Sequence, residues 1–156
     1  MQMTKIVRTT ADLFYPFCLT FGLYVVLHGH LSPGGGFQGG AVMATGIALL
    51  LVSRHYADIT RYIRKNAMSL CEAVGLLMFI VLGLSGLVLG GSFLQNHLAG
   101  SGSWLFGSTV GPGPDPGTLA TSGTVALLNL AVGIEVFGGL SIILLYMLSG
   151  LEEDTP

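Results

Sequence analysis

A chain of 156 residues is long enough for one domain in water or for about four to six membrane spans. Hydrophobic residues make up 51% and charged residues 9%, with a mean hydropathy of +0.75. Soluble domains average roughly 25% charged residues, so this surface cannot mostly face water. The net charge of −2 gives no case for a nucleic-acid partner. Cys18 and Cys71 match no disulfide or zinc spacing and read as small buried hydrophobes.

The gaps between the charges are the predicted spans. The first covers about 11–30, its apolar run from Ala11 to Leu27 preceded by Lys5 and Arg8. A signal peptide is the alternative, but the run is long and no small-x-small cleavage site precedes His28. Then comes His28-Gly-His-Leu-Ser-Pro-Gly-Gly-Gly-Phe-Gln-Gly-Gly40. Gly34-x-Gly36-x-x-Gly39 formally matches a dinucleotide fingerprint, which needs a preceding strand in a βαβ unit; here a membrane helix precedes it. A phosphate-binding P-loop needs a lysine that is absent. His28 and His30 are two apart, on different helix faces, with no third ligand near in sequence, so no metal site is expected. A structural turn remains: Pro33 stops one helix, and Gly34, Gly35, Gly36, Gly39 and Gly40 permit tight backbone geometry. Backbone exposed at membrane depth must be covered by protein or line a wet cavity. The expected cover is partner subunits.

The second predicted span, about 37–53, is marginal in length at ~1.5 Å per residue. The third covers about 69–91 and the fourth about 122–148, with an outer connection at 92–121 and an acidic tail at 150–156. All six Lys and Arg sit at two places: Lys5 and Arg8, then Arg54, Arg61, Arg64 and Lys65. With four spans, both places fall on the cytoplasmic face if both termini are inside. The glycine turn and the outer connection then face outward without a cation. The predicted fold is therefore an all-α integral membrane protein of four transmembrane helices.

Small residues recur along the spans: Gly40, Ala44 and Ala48 on the second, Gly83, Gly86 and Gly90 on the third. Such faces let helices approach closely. Glu135 lies near the middle of the fourth span, and an ionised side chain there costs at least ~2.5–3.5 kcal/mol on insertion scales. Ala131 and Gly139 lie one turn to either side, which places the acid on a small-residue face. No Lys or Arg inside a span is available to pair with it. A protonated acid or a group from another subunit is implied; ion or proton handling stands beside a purely structural neutral acid. Glu72 begins the third span, either facing the glycines or as a first-turn acid favoured by the helix dipole. His28 and His30, at the outer end, read as proton relays or as wet interfacial side chains, and Asp12 as interfacial. Ser92 to Gly123 has no periodicity and centres on Gly-Pro-Gly-Pro-Asp-Pro-Gly; Trp104 and Phe106 are candidate interface anchors. No nucleophile–base pair or cofactor motif occurs, so no enzyme is expected.

The segment GHLSPGGGFQGGAVMA (Gly29 to Ala44), four spans and the late SGTVALLNLAVGIEV (Ser122 to Val136) together resemble the MnhB/MrpB family over about Thr10 to Ser149. These are small membrane subunits of multisubunit Mrp cation/proton antiporters, with relatives in membrane-bound hydrogenase and sulfane reductase complexes. The resemblance implies a non-catalytic subunit in a prokaryotic plasma membrane, seated among other membrane subunits of an antiporter or a ferredoxin-linked complex. It implies no cofactor in this chain, with Na+ and H+ as the transported ions. Glu135 is then the first candidate for the cation or proton path, followed by Glu72, His30 and His28. A scaffold role without an ion path, or a stand-alone transporter, are the competing readings.

Overall fold

The computed structural model describes residues 3–32, 34–113 and 117–153, without the side chains of 151–153. Pro33 and the end of the acidic tail, both used in the sequence reading, lie outside the described residues. Five helices follow one another: α1 (Lys5–His28), α2 (Gly36–Ser53), α3 (Tyr56–Tyr62), α4 (Lys65–Val88) and α5 (Thr124–Glu153). Four of them, α1, α2, α4 and α5, are long and apolar enough to cross a membrane. No strand occurs among the described residues.

Thr4 caps α1, its hydroxyl accepting from the Val7 N–H at 3.5 Å. Pro16 lies inside α1 and has no N–H to return to the Asp12 carbonyl. Between α1 and α2 the chain turns through Gly34 at φ +128°, a conformation that a side chain resists. The glycines after it belong to the first turns of α2. They pack on this chain's own α1 and α5: Gly36 on Asn129 and Val132, Gly39 on Gly22 and Val26, Gly40 on Gly133 and Val136. The cover expected from partner subunits is thus supplied internally at these positions. Met43 and Gly39 meet Gly22 across the same seam, and Cys18 meets Gly46.

Those contacts fix the order of the helices. α2 lies antiparallel to α1 and parallel to α5, and α4 runs antiparallel to α5. The four spans form an open row, α1–α2–α5–α4, with α1 also touching α5 where Val26 meets Gly133, and with the two outermost helices not packed on each other. Side-chain packing is concentrated at one end, where Ile47, Leu51 and Leu145 enclose Ile59 of α3 and Ile63 just beyond it. Elsewhere the row is held largely by glycines in backbone contact.

α3 is an addition to the expected architecture. It lies between the second and third spans and turns Ile59 and Ile63 into the core. Lys5 and Arg8 open α1, Arg54 caps the end of α2, and Arg61, Arg64 and Lys65 follow. Arg54 reaches Asp12 of α1, one nitrogen holding both carboxylate oxygens at 2.6 Å. Lys65 Nζ sits 4.4 Å from the centre of the Tyr146 ring of α5, a cation–π contact. These links bring every cation of the chain to the same end of the row.

At the other end, the segment after α4 folds back on it. Gly86 packs on Ser92 and Gln95, and Gly83 on Phe93 and Leu94. The expected helix-facing stripe of Gly83, Gly86 and Gly90 thus receives a loop, and Gly90 lies beyond α4 at φ +81°. Asn96 closes this end: its Oδ1 accepts from the Thr124 N–H and hydroxyl at 2.7 Å each. Its amide donates to the Ser122 carbonyl at 3.1 Å. Trp104 projects from this segment, 93% exposed.

Candidate functional site

Two of the four candidate residues, Glu72 and Glu135, lie on the seam between α4 and α5. The sequence carries the same spacing on both helices: Glu72-Ala-Val-Gly75 and Glu135-Val-Phe-Gly138. At i and i+3 a helix sets both residues on one face. Because the helices are antiparallel, each glutamate lies against the other helix's glycine. A Cβ on Gly75 would stand 2.5 Å from the Glu135 nitrogen and 2.8 Å from its Cα. A Cβ on Gly138 would stand 2.6 Å from the Glu72 nitrogen. Neither side chain would fit, so glycine here is a requirement of contact between backbones. Three residues separate the two levels, or about 4.5 Å along the axis at 1.5 Å per residue.

The Glu72 carboxylate lies along α5, its Oε1 3.5 Å from where a Cβ on Gly139 would stand. Glu72 and Glu135 are each half-buried. Among the described residues neither takes part in an ion pair, the one such pair being Arg54–Asp12. Two carboxylates in a medium of low dielectric cannot both stay charged without a counter-charge. The arrangement suits a cation or a proton supplied from outside the chain.

Glu72 sits deeper than its sequence suggested. The apolar run begins near Leu70, but α4 begins at Lys65, so Glu72 is its eighth residue and the first turn contains no acid. The helix-dipole reading of Glu72 is thereby corrected. Lys65-Asn-Ala-Met-Ser69 is helical because Lys65 is held by Tyr146 and Met68 packs on the buried cluster, contacts that hydropathy does not register. Gly75 and Gly138 were not singled out from the sequence; the repeated Glu-x-x-Gly spacing was the available signal.

The histidines lie apart from this seam, at the far end of α1. The His28 ring stacks on Tyr24 with centroids 4.7 Å apart and lies 6.2 Å from the His30 ring. His30 Nδ1 donates to the Leu27 carbonyl at 3.0 Å. Its Nε2 is buried without a partner among the described residues. Gly29, between the two histidines, packs on the Asn129 side chain of α5. Among the described residues no three His, Cys, Asp or Glu side chains are grouped as metal ligands.

Comparison with known proteins identifies the family. A domain model described as related to the MnhB subunit of Na+/H+ antiporters matches residues 6–142. An uncharacterized protein of Methanocaldococcus jannaschii is 32% identical over 140 residues, which is 90% of this chain and 50% of that protein. The B component of a Na+/H+ antiporter of Bacillus subtilis is 34% identical over 91 residues, 58% of this chain and 63% of that protein. The putative antiporter protein mnhB2 of Staphylococcus aureus is 25% identical over 145 residues, 93% and 94% of the two chains. The chain thus spans only half the length of the first of these relatives and under two thirds of the second. Matched over most of its length and carrying four membrane-spanning helices, the chain belongs to the MnhB family of Na+/H+ antiporter subunits, multi-pass proteins of the plasma membrane.

Proposed function

We propose that this chain assembles with other membrane subunits into a sodium/proton antiporter and lends Glu135 and Glu72 to its cation or proton path. The observation that carries the reading is the α4–α5 seam. Two half-buried glutamates are set backbone to backbone against glycines within the spans, with no ion pair to either among the described residues. A cost of ~2.5–3.5 kcal/mol or more for each charge is not a feature that packing alone requires. The open row supports the assembly role, since its outer helices keep large apolar faces uncovered, Phe17 and Val81 among them. All Lys and Arg lie at one end of the row, which supports a cytoplasmic orientation for that end by the positive-inside rule.

The test is made in the assembled complex, in inverted membrane vesicles. Replacing Glu135→Gln keeps the shape and removes the titratable group. Normal complex assembly with sodium-dependent proton exchange reduced by about tenfold or more, the scale of a lost proton-transfer group, is expected. Glu72→Gln gives a smaller loss, and the double variant is no worse than the sum. Exchange that is unchanged in the double variant removes the ion role and leaves the scaffold.

A further inference from the structure

The cationic end of the row holds a feature that the antiport reading does not use. A cavity of about 490 Å³ opens between α1, α2 and α3. Its walls follow a gradient along the helix axes. Asp12, Arg54 and Asp58 line it at the level of the helix ends, while Tyr15 and Leu50 lie about one turn deeper in the spans. At 1.5 Å per residue that separation is about 5 Å. Ile59 and Ile63 form an apolar side, and Tyr62 stands at the rim, 85% exposed.

The charges in the wall are not balanced. Arg54 is taken by Asp12 through a single nitrogen, and its Nε is buried without a partner among the described residues. Asp58 carries a second carboxylate in the same wall. The cavity lining holds two carboxylates against one cation, with Arg8 in the adjoining recess beside Arg54 and Asp58, so no net positive charge draws an anionic headgroup. The Arg54 side chain is still 32% exposed, and with the Asp58 carboxylate in the same wall it suits a group that carries an acceptor and a donor cation together.

We infer that this cavity binds a phospholipid with a zwitterionic primary-amine headgroup, phosphatidylethanolamine in chemical class. Its phosphate accepts from Arg54, and its ammonium donates to Asp58. The beginning of its acyl chains runs along Leu50 and Tyr15, and Tyr62 packs at the level of the headgroup, where tyrosine is favoured. The polar-to-apolar order of the wall is that of a phospholipid lying beside a span. A partner polypeptide would need its own charge and apolar surface in the same order at the same depth.

The experiment uses the purified complex in detergent, equilibrated with equal amounts of phosphatidylethanolamine, phosphatidylglycerol and phosphatidylcholine of identical acyl chains. Retained lipids are counted by native mass spectrometry. Phosphatidylethanolamine is expected to be retained preferentially, and Asp58→Asn lowers its retention about tenfold, the loss of one charge-assisted hydrogen bond. Asp58 is exposed, and an unchanged melting temperature of the Asp58→Asn complex checks that the loss is not one of folding. A photocrosslinking residue in place of Tyr62 labels lipid. Equal retention of the three lipids, retention unaffected by Asp58→Asn, or crosslinking to another polypeptide each overturns the assignment.

Discussion

At the scale of single residues, the α4–α5 seam separates two glycines that cannot be replaced from one that can. A Cβ on Gly75 would fall within 2.8 Å of the Glu135 backbone. Gly75→Val therefore forces the helices apart, and overpacking of this kind costs about 1–3 kcal/mol. The expected readout is a complex that assembles poorly and melts at lower temperature. Gly139 is different, because a Cβ there makes ordinary contact, 3.5 Å from Glu72 Oε1. Gly139→Ala is expected to leave the melting temperature unchanged while altering exchange, since it touches the carboxylate and no backbone. Outside the spans, Asp12 raises the Arg54 pKa above its ordinary value, first by its hydrogen bond and then by its charge. The arginine's share of that stabilisation is complete below its ordinary pKa and fades only as pH rises through the raised one. Comparing the melting of Asp12→Asn with that of the unaltered chain is thus expected to give a constant difference from pH 6 to 9. At this exposure the difference is below ~1 kcal/mol.

At the scale of elements, the long helices were legible because hydropathy reports length directly. The second span, expected at about 37–53, is α2 at Gly36–Ser53. α3 was not legible: Tyr-Ala-Asp-Ile-Thr-Arg-Tyr is too short and too polar to carry a periodic signal, and it is helical because Ile59 finds a buried cluster. Glu135 at mid-span could be read from its position alone. Its company could not, since the approach of Glu72 depends on where α4 starts and how it registers against α5. The Arg54–Asp12 pair was likewise invisible, joining positions 42 residues apart. Asn96 shows what such distant contacts contribute. It is the polar cap at the start of α5, reached from 28 residues away. Asn96→Ala is expected to destabilise that end by about 0.5–2 kcal/mol, the range for a lost cap. Faster hydrogen exchange at the amides of Thr124 to Ala126, with the middle of α5 unaffected, is the measurement that checks it.

At the scale of the whole molecule, the open row differs from a closed bundle. α1 packs on α2 and also reaches α5, Val26 lying against Gly133 and Gly29 against Asn129, whereas α4 packs chiefly on α5, so the chain keeps an open edge along α4. A chain of this shape is expected not to carry ions across the membrane by itself. Reconstituted alone in liposomes, it is expected to give no sodium or proton flux above that of empty vesicles; robust flux would overturn the subunit reading. The charge segregation makes a second statement at this scale. A cysteine placed at Gly111 is expected to react with an impermeant reagent added outside the cell, and one placed at Arg61 only after the membrane is opened.

The seam glutamates have a consequence for how much of this protein a cell keeps. In the proposed assembly, a copy without partner subunits leaves these half-buried acids beside hydrocarbon, where an ionised side chain costs at least ~2.5–3.5 kcal/mol. Deleting the partner subunits is then expected to shorten its half-life, and Glu72→Gln together with Glu135→Gln to lengthen that of the orphan, as a pulse-chase measurement would read.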